Sequence, residues 1–206
     1  RDCLLSRGLG DVYKRQQGVF QMESTGMTGV CVSMKPTSIE DLTAIVALYR
    51  PGPMESIPKF VENKFNPGKV TYKTPLLEPI LKVTYGCIVY QEQVMQIVRE
   101  LGGYTLGRSD LVRRAMSKKK QAVMEKEKAN FVYGNPEEGV PGCISPGISE
   151  AVADHIYEEM MDFAKYAFNK SHAACYAVVS YQTAFLKYYY PVSYTHLRAH
   201  ETRGNL

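Results

Sequence analysis

The chain has 206 residues, 45% of them hydrophobic and 22% charged, a composition that excludes disordered and collagen-like chains and fits an ordinary globular protein. Its longest apolar run, the seven residues Ala173 to Val179, is far short of the roughly 18 to 20 that cross a bilayer, so no membrane span is expected. The net charge is +4, but its distribution says more than its sum: residues 99–128 carry nine basic and four acidic side chains, whereas 137–162 carry seven acidic and no basic ones.

The five cysteines, at 3, 31, 87, 143 and 175, are odd in number and widely spaced. They spell neither a disulfide framework nor a CxxC metal knuckle, and a reducing, cytoplasmic compartment fits them. Residues 1–16 (RDCLLSRGLGDVYKRQ) and about 193–206 (SYTHLRAHETRGNL) show no sustained helical or strand period. Both resemble translated sequencing-adaptor read-through, so they are expected to be non-native tails on a fragment spanning 17–192.

Within that fragment, Thr37 and Ser38 followed by Glu40 and Asp41 make overlapping capping boxes, and the apolar spacing from Ile39 predicts a helix over 39–49, stopped by Arg50-Pro51-Gly52-Pro53. Six of the eleven prolines fall in 51–79, which predicts a stiff, largely non-helical connection. Gly86 to Tyr90 reads as a short extended run. Val94, Ile97, Val98 and Leu101 share one face of a helix over 91–101 that ends at Gly102-Gly103. Ser109 is the expected cap of a basic helix with Leu111, Val112, Ala115 and Met116 on its apolar side. Lysine- and glutamate-rich 119–133 is a helix ended by Gly134, and Ser149 caps an acidic helix over 150–165 with Val152, Ile156, Met160 and Phe163 buried. Ser171 is the expected cap of a last helix ending before Pro191, on which Ala173, Ala177, Ser180 and Ala184 form a seam of small residues. The class is mainly α: an irregular helical array with a long Pro-rich connection and at most short extended pieces.

No Asp-x-Asp pair offers converging oxygens to a divalent metal, no GxxxxGK[ST] loop is present, and neither His155 nor His172 has a local Cys or Ser partner. Two basic clusters remain. Arg113, Arg114, Lys118, Lys119 and Lys120 lie within eight residues, and Arg forks with Lys point charges suit a triphosphate or a nucleic-acid backbone. Asn169-Lys170-Ser171-His172 places a Lys and a His at the mouth of a helix whose free N–H groups attract anions. The plain alternatives are a solvated charged face and simple capping by Ser171.

Several motifs recur in a fixed order: Gly18-Val19-Phe20-Gln21-Met22-Glu23-Ser24, Leu48-Tyr49-Arg50-Pro51-Gly52-Pro53-Met54, Tyr90-Gln91-Glu92-Gln93-Val94-Met95-Gln96, Arg113-Arg114-Ala115-Met116 and Phe168-Asn169-Lys170-Ser171-His172-Ala173-Ala174. With them, residues 18–192 resemble the bacterial family C replicative DNA polymerases, in particular the fingers region of the polymerase III alpha subunit. Ser117, Ala167 and Cys175 depart from that pattern, where smaller residues are usual.

The resemblance implies part of a DNA-directed DNA polymerase in chromosomal replication. Arg113, Arg114, Lys118, Lys119 and Lys120 would neutralise triphosphate or template, Lys170 and His172 would add an anion contact, and Arg50 would order the nearby loop. It further implies Mg²⁺ held by carboxylates outside this segment, so that the piece alone is inactive. Primer-template DNA, dNTP, the palm domain of the same polypeptide and replicase subunits including the sliding clamp are the implied partners. The alternatives from the residues themselves are a non-catalytic helical nucleic-acid-binding module, or a structural domain charged only for solubility.

Overall fold

The computed structural model describes residues 18–118, 121–164, 166 and 168–204, with side chains left aside at 116, 117, 121, 164 and 198–204. Among the described residues it is mainly α, as expected, and extended pairing is limited to two isolated bridges, Tyr90 with Phe168 and Asn135 with Val140.

Helix α1, Thr25–Met34, begins where the Ser24 hydroxyl accepts the Met27 N–H; no helix was expected there. Helix α2, Ile39–Leu48, is the predicted one, and Ser38 Oγ accepts the Asp41 N–H at 3.1 Å. The Pro-rich segment departs from expectation. It contains α3, Ile57–Phe65, the short α4, Glu78–Leu81, and several 3₁₀ turns. Pro53 and Pro58 sit in first turns, where the missing N–H has no intrahelical partner to lose, so proline there starts helices instead of breaking them.

Then come α5, Gln91–Glu100; α6, Leu106–Ser117; α7, Gln121–Tyr133; and α8, Glu150–Ala164. Helix α6 starts earlier than Ser109 suggested: Thr105 Oγ1 accepts the Arg108 N–H, while Ser109 is buried and donates to the Leu106 carbonyl at 2.7 Å. Leu111, expected inside, is 64% exposed, so the buried side of α6 is carried by Val112, Ala115 and Ser109. Helix α9 is Lys170–Tyr189, and α10, Pro191–Gly204, follows over a stretch whose sequence shows no clear period.

The chain divides into two compact units, one of residues up to Tyr49 and from Ser171 onward, the other Arg50–Lys170. In the first, Ala173, Ala177, Ser180 and Ala184 are the buried residues of α9, the seam the spacing predicted. Its small residues admit the backbone of Phe20: Ser180 Oγ donates to the Phe20 carbonyl at 2.8 Å and the Phe20 N–H donates to Thr183 Oγ1 at 3.0 Å. The Tyr194 hydroxyl donates to the Gly18 carbonyl.

The second unit holds a larger core. Val94, Ile97 and Val98 of α5, Val112 of α6, Phe131 and Val132 of α7, and Ile156, Tyr157 and Met160 of α8 are all nearly inaccessible to water. Each such side chain contributes about 1.5 to 3 kcal/mol on burial. Helix α7 stops at Gly134, whose φ is +85° and where a Cβ would come within 2.4 Å of the Pro141 carbonyl oxygen. Only glycine fits both constraints. Among the described residues, no helix is long and apolar enough to cross a membrane.

Candidate nucleic-acid and nucleotide interface

The basic stretch 99–128 loses much of its surplus on folding. Arg108 sits between Glu127, at 2.9 Å, and Glu138, at 2.5 Å, and lies over the Tyr104 ring. Burial opposes its charge, but the bonds to Glu138 and Glu127 outweigh burial and raise the guanidinium above its ordinary value. Lys126 pairs with Glu138, and Lys128 with Asp154 and Glu158. The acidic run 137–162 is therefore partly the counter-charge of the basic one, which sequence polarity alone does not reveal.

Of the predicted cluster, Arg113 and Arg114 share one carboxylate. Arg113 donates to Asp110 Oδ1 through Nε at 2.9 Å and Nη2 at 2.6 Å, and Arg114 Nε meets Asp110 Oδ2 at 2.7 Å. The Arg113 hydrogen bond, backed by the charges of both arginines, holds the Asp110 carboxyl below its ordinary value. Arg113 and Arg114 thus draw on the same carboxylate. Arg114 is 62% exposed against 24% for Arg113. Lys118 is exposed at the end of α6, and Lys119 and Lys120 lie outside the described residues.

A second group forms at the start of α5, where consecutive side chains each hold something cationic or amide-bearing. Lys170 Nζ lies 5.5 Å from the centre of the Tyr90 ring, within cation–π reach. Gln91 Oε1 accepts from Arg113 Nη1 at 3.2 Å. Glu92 accepts the Lys170 backbone N–H on both oxygens at 3.0 Å and the Asn169 amide at 2.9 Å. Gln93 anchors the group from below at 4% exposure: its carbonyl accepts the N–H groups of Val89 and Tyr90, and its NH₂ donates to the Ile80 carbonyl and Thr84 Oγ1. All four of its hydrogen-bonding positions are filled.

Helix α9 is thus capped from another part of the chain. The expected cap, Ser171, lies inside the helix and is exposed. The N–H of Lys170, at the helix mouth where an anion was expected, is taken by Glu92. His172 is exposed, with its ring 4.5 Å from that of Tyr176.

Arg50 acts at the other side of the Tyr90–Phe168 bridge. It donates from Nη2 to the Tyr166 carbonyl at 2.9 Å and stacks 4.1 Å from the centre of the Phe168 ring. Gly52 makes room for this closure, because a Cβ there would meet the Tyr166 ring at 2.5 Å and the φ of +99° disfavours any other residue. Partial burial lowers the Arg50 guanidinium from its ordinary value.

The fold therefore brings Arg50, Arg113 and Lys170 onto partners at or beside the bridged residues Tyr90 and Phe168: Tyr166 and Phe168, Gln91, and Tyr90. Sequence reasoning singled out the cations and missed Asp110, Gln91 and Glu92, which hold them; only the Tyr90-Gln91-Glu92-Gln93 motif marked the place. A cleft of about 440 Å³ in the same unit, lined by Glu55, Lys59, Cys87, Glu159, Asp162 and Tyr166 among others, includes none of the predicted cations. Burial pushes the Cys87 thiol up to about 11, so it is no nucleophile at neutral pH. Among the described residues no three His, Cys, Asp or Glu side chains gather where a metal ion could be held.

Fold and side chains together define a mainly α protein that carries a fixed set of cations about one helix start. Residues 8–139 match the family model described as the bacterial DNA polymerase III alpha subunit finger domain, and the chain belongs to that family. It is 48% identical over 180 residues to the DNA polymerase III subunit alpha of Treponema pallidum, an alignment covering 87% of this chain and 15% of that protein. The Thermus aquaticus subunit is 46% identical over 196 residues, 93% of this chain and 15% of the relative. The Caulobacter vibrioides subunit is 51% identical over 177 residues, 86% of this chain and 15% of the relative. The chain spans about 15% of the length of these relatives.

Proposed function

We propose that the chain is the fingers-region part of a DNA-directed DNA polymerase that extends a primer with deoxynucleoside triphosphates in chromosomal replication. The observation that carries this reading is the gathering of Arg50, Arg113 and Lys170 around residues 90–92 and 166–168, in a chain of the polymerase III finger family. In the reaction a primer 3′ hydroxyl attacks the α-phosphate and pyrophosphate leaves, so negative charge must be held and oriented along the triphosphate throughout.

On this reading Arg113, Arg114 and Lys118, with Lys119 and Lys120, neutralise triphosphate or template backbone. Lys170 and His172 add an anion contact, and Arg50 orders the nearby loop. Mg²⁺, when bound, supplies Lewis-acid stabilisation of the phosphoryl oxygens, and its ligands belong to carboxylates outside this chain. Primer-template DNA, dNTP, the palm domain of the whole polypeptide and replicase subunits including the sliding clamp are the partners, and the cytoplasm is the compartment. The motifs that carry this reading lie within residues 17–192.

The test is a full-length relative, such as the Thermus aquaticus subunit, with Ala at the positions matching Arg113 and Arg114. Nucleotide KM should rise, kcat should fall, and the melting temperature should stay. Each lost charge-assisted contact is worth about 1.5 to 3 kcal/mol where water is excluded. Unchanged kinetics would return the pair to a solvated charged face. Templated synthesis by the 206-residue chain alone, free of host polymerase, would contradict the assignment of the metal ligands elsewhere.

A further inference from the structure

Lys170 carries an ammonium on four rotatable bonds, and a point charge so tethered meets a phosphate well only if its backbone is fixed and its rotamers are restricted. Both conditions trace to α5. Glu92 takes the Lys170 N–H on its two oxygens, at 3.0 Å each, and takes the Asn169 Nδ2 on Oε1 at 2.9 Å. Two residues earlier, the Tyr90 ring lies 5.5 Å from Lys170 Nζ. The buried amide of Gln93 fixes Tyr90 from beneath by accepting its N–H at 3.0 Å. A carboxylate beside a phosphate-binding lysine would by charge alone repel the ligand. Its position, on the first N–H of the helix, gives it the opposite consequence.

We infer that Glu92 is a positioning residue: by capping α9 from α5 it fixes the backbone of Lys170 so that the ammonium, steadied over Tyr90, is presented to phosphate. The inference rests on the proposed role of Lys170 in nucleotide binding and adds the residue that makes that role possible. The two possible actions of Glu92 have opposite signs. As a mere charge it weakens nucleotide binding and its removal tightens it; as a positioning group it strengthens binding and its removal loosens it.

The experiment uses the full-length Caulobacter vibrioides subunit with replacements at the positions matching Glu92 and Lys170, read as dNTP KM, kcat and melting temperature. Glu92→Ala should raise KM about fivefold to tenfold, the effect of losing a helix cap and a charge-assisted bond, with a smaller change in kcat. Lys170→Ala should do the same. The double replacement should be no worse than the larger single one, because the two changes remove one interaction. Glu92→Gln keeps the reach and one accepting oxygen, so it should stay near the parent; Glu92→Asp keeps the charge but withdraws it by a methylene, and should behave like Ala.

If Glu92→Ala fails to fold, the Gln and Asp variants carry the test on their own. An Asp variant near the parent with a damaged Gln variant would overturn the inference in favour of charge. A lowered or unchanged KM in Glu92→Ala, beside a raised one in Lys170→Ala, would overturn positioning and leave the nucleotide role of Lys170 standing. If Lys170→Ala itself leaves KM unchanged, that role falls, and the inference falls with it.

Discussion

Arg108 and Arg114 stand on the same helix, α6, and have been given opposite surroundings. Arg108 is 18% exposed and is bonded to carboxylates from two further elements, Glu127 of α7 and Glu138 beyond it. Arg114 is 62% exposed and, among the described residues, pairs with Asp110, which Arg113 also holds. The difference lies in the ratio of acids to bases on each side of the helix. Where carboxylates outnumber the guanidinium, the arginine is a strut of the fold; where two guanidinium groups share a carboxylate, one of them stands out into solvent. A count of basic residues along the sequence cannot separate these cases.

The largest effect expected from this contrast is on stability. Arg108→Met should lower it by about 1 to 2 kcal/mol, between the worth of an exposed ion pair and that of a buried one, leaving Glu127 and Glu138 facing one another. Thermal melts of the 206-residue chain would measure the loss, and a change below about 0.5 kcal/mol, typical of surface substitutions, would erase the distinction between the two arginines.

A finer probe is the carboxyl of Asp110. Its pKa is depressed by the Arg113 hydrogen bond, so its contribution to stability is present above the ordinary carboxylate value and fades as pH falls through the lower folded one. Carbon-detected NMR titration should place its midpoint below the ordinary 3.8, and Arg113→Ala should move the midpoint up. A midpoint indifferent to Arg113 would mean that the shared-carboxylate geometry does not persist in solution.

The smallest effect is expected where neither arrangement reaches. Removing residues 1–16 and 193–206 should change stability by less than about 1 kcal/mol, since their sequence carries no periodic apolar face to bury; among the described residues Leu197, for one, is 67% exposed. A larger drop in the melting temperature would make α10 a packed part of the protein.

How far the sequence revealed these features depended on whether each was local. Ser38 with Asp41, the small seam on α9 and the glycine stop of α7 are written in neighbouring residues, and all three formed as predicted. Helix α3 is hidden in the sequence because proline reads as a breaker, whereas Pro58 occupies its first turn. Helix α1 was hidden by Gly26 and Gly29. Gly26 is explained only in three dimensions, because a Cβ there would collide with the Tyr49 hydroxyl. In the candidate site the cations were legible as residue types. Their holders were not, since Glu92 reaches Lys170 across 78 residues and Gln91 reaches Arg113 across 22.

The filled amide of Gln93 has a consequence for motion. Helix ends ordinarily fray, because their first N–H groups are held by water or by a single side chain. At α5 the N–H groups of Val89 and Tyr90 both end on an oxygen whose own side chain is tied to Ile80 and Thr84. Opening this end means breaking those bonds together where Val89 and Tyr90 are closed to water, so these two residues cannot loosen by themselves. Their amides should exchange with solvent deuterium no faster than the core of the second unit, giving this helix start the slow clock of a hydrophobic interior.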